Sequence, residues 1–200
     1  MMRLVMIDAG GANIGSVRYA LGRLGVEAEL TTDAATIRSA DRVILPGVGA
    51  AAQVMGRLQA LDLVDTLKSL QAPLLGVCVG MQVLFEHSEE DDTPCLGLLQ
   101  GRVAKLPLSA GIRVPHMGWN ALEPRIAASL TAGIEAGAQA YFVHSYAAPV
   151  SADCLSSCVH GQPFAAVVQR GRVAGAQFHP ERSAAVGARL LKNFIEGGLA

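Results

Sequence analysis

Charge is scarce in this chain: only 16% of its 200 residues are Asp, Glu, Lys or Arg, and the formal net charge at pH 7 is -1. So small a balance leaves no electrostatic footprint for nucleic acid or an anionic membrane, and phosphate-backbone binding is not expected. Long apolar runs are missing as well. The apolar start ends on Asp8 at strand length, no signal-peptide cleavage pattern follows, and no stretch reaches membrane-spanning length. Cysteine is too sparse for a disulfide framework, with Cys78, Cys95, Cys154 and Cys158 alone. Cys154 and Cys158 have no second pair and no histidine at zinc-ligand spacing, so no metal is expected. Structural thiols in a reducing cytoplasm are the expectation. No internal repeat or low-complexity tract is present. What remains is 51% hydrophobic residues, 22 glycines and a length suited to one domain, residues 1–200, of an α/β globule.

The first part of the chain alternates strand and helix. Residues 3–7 read as a buried strand, followed by Ile14, Val17, Leu21 and Leu24 at helical spacing. Residues 27–30 and 42–45 read as further strands. A helix is expected from Val54 through Leu58, Leu61 and Leu67, and residues 74–77 return to the sheet. Strands separated by such helices predict parallel pairing with right-handed crossovers, and a site built at the C-terminal strand ends. The second part has short segments at 96–106, 119–122, 140–145, 165–169 and 173–178. These predict a mixed or antiparallel extension of the same sheet. A closing helix over 183–195 would face inward through Val186, Leu190, Leu191, Phe194 and Ile195. The predicted class is therefore α/β, a mostly parallel central sheet flanked by helices with an antiparallel extension.

Gly76-Val77-Cys78-Val79-Gly80 follows the apolar run Pro73-Leu74-Leu75, where a strand turns into a helix. A nucleophile on such a bend needs small neighbours so that its side chain stands clear of the backbone. The helix carrying Met81, Val83, Leu84 and Phe85 would aim its N-terminal N–H groups at the sulfur, which favours the nucleophilic thiolate. An inert core thiol is the bland alternative for any lone cysteine. It is outweighed here by Phe178-His179-Pro180-Glu181 near the far end of the chain. His179 would take the thiol proton and return it to a leaving amine, and Glu181 would fix the ring tautomer. The three residues read as a Cys-His-Glu acyl-transfer site.

Pro46-Gly47-Val48-Gly49 also follows a strand. It is either an ordinary glycine turn or a loop offering N–H groups to an oxyanion, with the Val79 N–H as a second donor. His87 and His160 show no companions in the sequence. His116 and His144 lie in the segments 115–120 and 141–146, where spacing alone leaves their roles open. Glu89-Glu90-Asp91-Asp92 reads as a solvated loop. The glycine-rich turn from Asp8 to Gly15 does not match the dinucleotide fingerprint, so no nicotinamide, flavin or other cofactor is expected.

Together these residues resemble the class I (triad) glutamine amidotransferases, which have a flavodoxin-like fold. The elbow with Gln82, the Pro46 loop and the His179-Pro180-Glu181 tail are marks of the class. Three segments narrow the likeness to glutaminase subunits of imidazole glycerol phosphate synthases: Pro115-His116-Met117-Gly118-Trp119-Asn120, Tyr141-Phe142-Val143-His144-Ser145-Tyr146, and Gly175-Ala176-Gln177-Phe178-His179-Pro180-Glu181.

The resemblance implies that Cys78 attacks the side-chain amide of glutamine, forms a glutamyl thioester and releases ammonia, and that water then frees glutamate. Gln82, with backbone from Gly47 and from His144, Ser145 and Tyr146, would hold the glutamine. The partner would be a cyclase subunit, a (β/α)₈ barrel in a heterodimer. It would combine the ammonia with a phosphoribulosyl-formimino aminoimidazole carboxamide nucleotide to give imidazole glycerol phosphate and AICAR, in histidine biosynthesis. Asn13, Trp119, Asn120 and Arg182 would lie near the docking face. The glutaminase unit would occupy nearly the whole chain, leaving the acceptor substrate to the partner. Departures from the family pattern fall at Ala9, Ala12-Asn13 and Arg182, in the docking region and not in the triad. The isolated chain is expected to be nearly idle, with the peptide at residues 46–49 reorienting before it serves the oxyanion. Competing readings are the glutaminase of pyridoxal phosphate or anthranilate synthesis, a stand-alone cysteine hydrolase, and a non-catalytic relative.

Overall fold

The computed structural model describes residues 2–10, 13–108, 111–197 and 199. Ala12, one of the departures noted in the first turn, lies outside the described residues. Four short apolar segments form the parallel half of the fold: β1 (Leu4–Ile7), β2 (Ala28–Thr31), β3 (Arg42–Gly47) and β4 (Leu74–Cys78). Of these, β1 and β4 are buried along their whole length, as strands covered by helices on both faces must be. The connecting helices are α1 (Ile14–Arg23), α2 (Ala34–Arg38), α3 (Ala51–Ala60) and α4 (Val64–Lys68). The helix expected through Leu67 is thus two helices. Asp62 adopts φ 53° between them, and Leu63 turns fully into the core.

The rest of the chain supplies α5 (Val79–Gln82), β5 (His116–Ala121), β6 (Gln139–His144), β7 (Cys154–His160), β8 (Gln162–Arg170), β9 (Val173–Ala176) and α6 (Ala184–Glu196). Among the described residues, eight strands form the main sheet in the order β2-β1-β3-β4-β9-β8-β7, with Glu123–Pro124 at the far edge. The strands from β2 to β9 run parallel; β8, β7 and the edge are antiparallel. The mostly parallel sheet with an antiparallel extension is therefore the observed architecture.

Three expectations for the second part are corrected. β5 and β6 do not extend the main sheet; among the described residues they pair only with each other, from Gln139 opposite Ala121 to His144 opposite His116. Of residues 96–106 only Arg102–Lys105 is strand, because Gly97 and Gly101 take φ 68° and 113° and bend the chain. Leu96 and Leu98 instead bond back to Val83 and Leu84 after α5. β7 was not foreseen, since Ser156-Ser157 interrupts its apolar pattern. In α6, Gly187 takes the buried place expected of Val186, which is half-buried.

The parallel half sets the site. Gly47 at the end of β3 lies opposite Cys78 at the end of β4, and Ala176 at the end of β9 lies opposite Val77. The segments that follow β3, β4 and β9 therefore leave the sheet side by side, at its C-terminal edge.

Candidate active site

Cys78 carries the bend itself, at φ 55° and ψ −114°, a conformation that non-glycine residues rarely adopt. The flanking glycines serve a different need. A Cβ on Gly76 would lie 2.5 Å from the Gly80 carbonyl oxygen, and one on Gly80 would collide with the Leu45 carbonyl. Hydrogen at both positions lets α5 sit directly on the ends of β3 and β4. That helix has only four residues, so the extended apolar helix expected after Cys78 is corrected: Val83, Leu84 and Phe85 are buried in the turn beyond it.

His179 reaches Cys78 because β9 is the parallel neighbour of β4. Its backbone N–H donates to the Tyr141 carbonyl at 2.9 Å, and Ser183 Oγ donates to the His179 carbonyl at 2.7 Å while accepting the Tyr141 N–H at 2.9 Å. The ring donates from Nδ1 to Glu181 Oε1 at 2.8 Å, and both side chains are buried. Asn13 Nδ2 donates to the same oxygen at 2.8 Å and lies 3.4 Å from His179 Nδ1. Glu181 Oε2 is buried with no hydrogen-bond partner among the described residues. Burial opposes charge on His179, but hydrogen bonds and charges at Cys78 and Glu181 outweigh it and raise the imidazole to about 10. Burial likewise opposes charge on Glu181, and the His179 and Asn13 bonds overcome it to hold the carboxyl below its ordinary value. Burial pushes the Cys158 thiol up to about 12, Cys95 to about 11, and Cys154 upward, so these three stay protonated.

The sulfur opens into a cavity of about 470 Å³. Its lining includes Val48, Gly49, Val79, Gln82, His144, Ser145 and Tyr146. Gly47 does not line it; it packs against Gly80 beneath. Gln82 is buried and donates from Nε2 to the Tyr146 carbonyl at 2.8 Å and to Gln177 Oε1 at 3.0 Å. Gln177 Nε2 lies 4.0 Å from Cys78 Sγ. A larger groove, about 910 Å³, runs along α1 and β2 past Arg18 and Tyr19, but it holds no nucleophile beside a base.

The residues expected on the docking face divide. Trp119 is 53% exposed and meets Tyr141 edge-on at 5.8 Å, and the Arg182 guanidinium lies 4.5 Å over the same Tyr141 ring. Asn13 and Arg182 also line the cavity, and the Asn13 amide is engaged with Glu181. Asn120 turns its amide inward to His116.

Two readings of charged residues are corrected. Glu90 is not merely solvated: it lines the cavity and accepts the Ala51 N–H at 2.8 Å. His160 has company, stacking on His116 at 4.0 Å between ring centroids, and His87 lies 3.1 Å from Asp92. Gln177 and Glu90 were missed because only the sheet order brings Gln177 to the sulfur and only the fold of the 89–92 turn brings Glu90 to the cavity wall. The opposition of Ala176 and Val77 would have found Gln177 once β9 was known to adjoin β4. Among the described residues, no group of three or more His, Cys, Asp or Glu side chains is arranged to hold a metal ion. Nor is any helix among them long and apolar enough to cross a membrane.

A thiol on a sharp strand-to-helix bend, beside a His–Glu pair at the edge of a parallel sheet, defines a class I glutamine amidotransferase, and the chain belongs to that family: the model of Glutamine amidotransferase class-I matches residues 5–197. Within it the chain is of the HisH type. It is 61% identical over 98% of both chains to the imidazole glycerol phosphate synthase subunit HisH of Xanthomonas axonopodis pv. citri. To the subunit of the same name from Xylella fastidiosa (strain Temecula1) it is 59% identical over the same shares. The fold alone is shared with two solved structures. One is a glutamine amidotransferase (TM-score 0.74, 21% identity, 96% of this chain and 97% of that one). The other is PurLQS from Thermotoga maritima (TM-score 0.74, 19% identity, 98% and 99%).

Proposed function

We propose that the chain is the glutaminase subunit of an imidazole glycerol phosphate synthase in histidine biosynthesis, a single glutamine amidotransferase unit working in the cytoplasm with a separate cyclase subunit. The observation that carries this reading is 61% identity across 98% of both chains with a HisH subunit. In the mechanism we propose, the Cys78 sulfur attacks the side-chain amide carbon of glutamine. The C–N bond breaks as His179 delivers a proton to the departing nitrogen, leaving a glutamyl thioester and ammonia. Water, deprotonated by the same ring, then displaces the sulfur and gives glutamate. Glu181 holds the Nδ1–H of His179 and balances the imidazolium.

The Val79 N–H and the loop at Val48 and Gly49 supply the oxyanion donors, after the peptide at residues 46–49 has turned toward the cavity. Gln82 and the backbone of His144, Ser145 and Tyr146 hold the substrate amide end. The Glu90 carboxylate is the anionic group on the cavity wall suited to the α-ammonium of glutamine. Ammonia protonates in bulk water and ceases to be a nucleophile. The cyclase therefore docks over the cavity mouth, at Trp119, Asn120 and Arg182, and receives ammonia directly to form imidazole glycerol phosphate and AICAR.

The test is glutamate release by the chain with and without the cyclase and its nucleotide ligand. Strong stimulation by both, and its loss in Cys78→Ala by at least about a thousandfold, is the expected result. Equal rates for Cys78→Ala and the parent would remove Cys78 from the mechanism, and the absence of a stable complex with the cyclase would remove the pathway.

A further inference from the structure

We propose that His116, itself held by Asn120, is a positioning residue that locks the tautomer of His144 and so fixes the Tyr146 carbonyl in the substrate cavity. The proposal rests on the glutaminase reading above. It begins from a carbonyl with two donors: Tyr146 accepts from His144 Nδ1 at 2.8 Å and from Gln82 Nε2 at 2.8 Å. A carbonyl only accepts, so His144 carries its hydrogen on Nδ1 and, while neutral, presents a bare Nε2. His116 Nδ1 lies 3.0 Å from that nitrogen and must supply the hydrogen between them. His116 Nε2 is then bare in turn, and Asn120 Nδ2 stands 3.2 Å away to donate to it.

The other end of the row demands the same direction independently. Asn120 Oδ1 accepts the Ala121 N–H at 2.8 Å, and the second hydrogen on its nitrogen goes to the Val159 carbonyl at 2.9 Å. The amide cannot flip without losing both bonds. Every hydrogen from Asn120 through His116 and His144 to Tyr146 therefore has one allowed place.

Both imidazoles are buried, His116 at 4% and His144 at 6% exposure. Burial takes them down to about 4 and about 3, so both are neutral near pH 7. The His116 ring cannot turn, because it is stacked between His160 at 4.0 Å and Phe142 at 4.9 Å. Beyond Tyr146 the direction continues: the second Gln82 hydrogen goes to Gln177 Oε1 at 3.0 Å, and Gln177 Nε2 faces Cys78 Sγ at 4.0 Å. Strand β5 is thereby tied to the wall of the glutamine cavity through His116 and His144.

Two measurements test this. Long-range ¹H–¹⁵N spectra of the imidazoles in the labelled chain are expected to show His116 and His144 neutral with hydrogen on Nδ1. A hydrogen on Nε2 of His144 in the parent protein overturns the proposal, whatever the protein's activity. The second is glutamine turnover with the cyclase and its ligand. His116→Phe keeps the stacking and removes the donor. Its KM for glutamine should rise about tenfold with kcat nearly unchanged, as the loss of one buried hydrogen bond predicts. His116→Asn, whose amide nitrogen falls near the lost Nδ1, should restore most of the affinity. An unchanged KM in His116→Phe, or a fall in kcat alone shared by both variants, overturns it. If His116→Phe does not fold, the parent spectra and His116→Asn still decide. Failure of the parent to turn over glutamine would instead count against the glutaminase reading and leave the tautomer result standing.

Discussion

Asn13 and Glu181, 168 positions apart in the chain, are joined through one carboxylate oxygen: Asn13 Nδ2 donates at 2.8 Å to the Oε1 that also accepts the His179 ring. Among the described residues Oε2 has no hydrogen-bond partner, and both side-chain hydrogen bonds to Glu181 fall on its sister atom.

Asn13→Ala should therefore act as a loosening of the His–Glu pair and not as a loss of docking alone. Glutamate release in the cyclase complex is expected to fall about tenfold in kcat, with little change in KM. Copurification with the cyclase gives the check on docking; a variant that loses the complex and not kcat would return Asn13 to the interface.

The His179–Glu181 pair also couples folding to pH. His179 rises from 6.5 to about 10 on folding, so its contribution to stability is full below 6.5 and is lost as pH climbs through about 10. Glu181 is lowered from 4.5, so its contribution is full above that value and fades as pH falls below it. Urea midpoints of the parent should decline from pH 6.5 to 10, and His179→Gln should flatten that decline. An identical slope in the two proteins would assign the decline to other groups.

Two glycine substitutions should move stability in opposite directions. Gly80→Ala drives a methyl group into the Leu45 carbonyl and should cost about 3 kcal/mol, with no flexible side chain to yield. Gly56→Ala lies within α3 with nothing within 4 Å of the new carbon, and should stabilise by about 0.5–1 kcal/mol. Urea denaturation of both variants distinguishes the close approach of α5 from a general intolerance of side chains.

Glu90→Gln keeps an acceptor for the Ala51 N–H but removes the negative charge from the cavity wall. The expected outcome is a rise in KM for glutamine of about tenfold or more with kcat retained. A glutamine analogue lacking the α-ammonium should lose this discrimination between Glu90→Gln and the parent.

The parallel half of the fold was legible because its strands are apolar runs bounded by helices with clear periodicity. Cys78 was legible for the same reason, whereas His179 follows β9, a strand that comes straight after β8 and whose parallel pairing with β4 its own pattern does not announce. The antiparallel half hid more. β7 carries Ser156 and Ser157 at 1% and 5% exposure, so its burial comes from tertiary pairing with β8 and not from its own pattern. β5 and β6 look like sheet extensions locally, and only their exclusive pairing makes them a separate ribbon. Glu90, Gln177 and the row from Asn120 to His144 belong to the same difficulty. Each depends on residues far apart in the chain meeting side by side, which no local spacing records.

Cys78 occupies a left-handed backbone region that glycine would enter freely, at a cost to the fold of about 1–3 kcal/mol. Reactivity and durability are thus set against each other at a single atom's address. A chain with glycine there would be harder to melt and unable to work, and improving the robustness of this protein has to begin anywhere but at that residue.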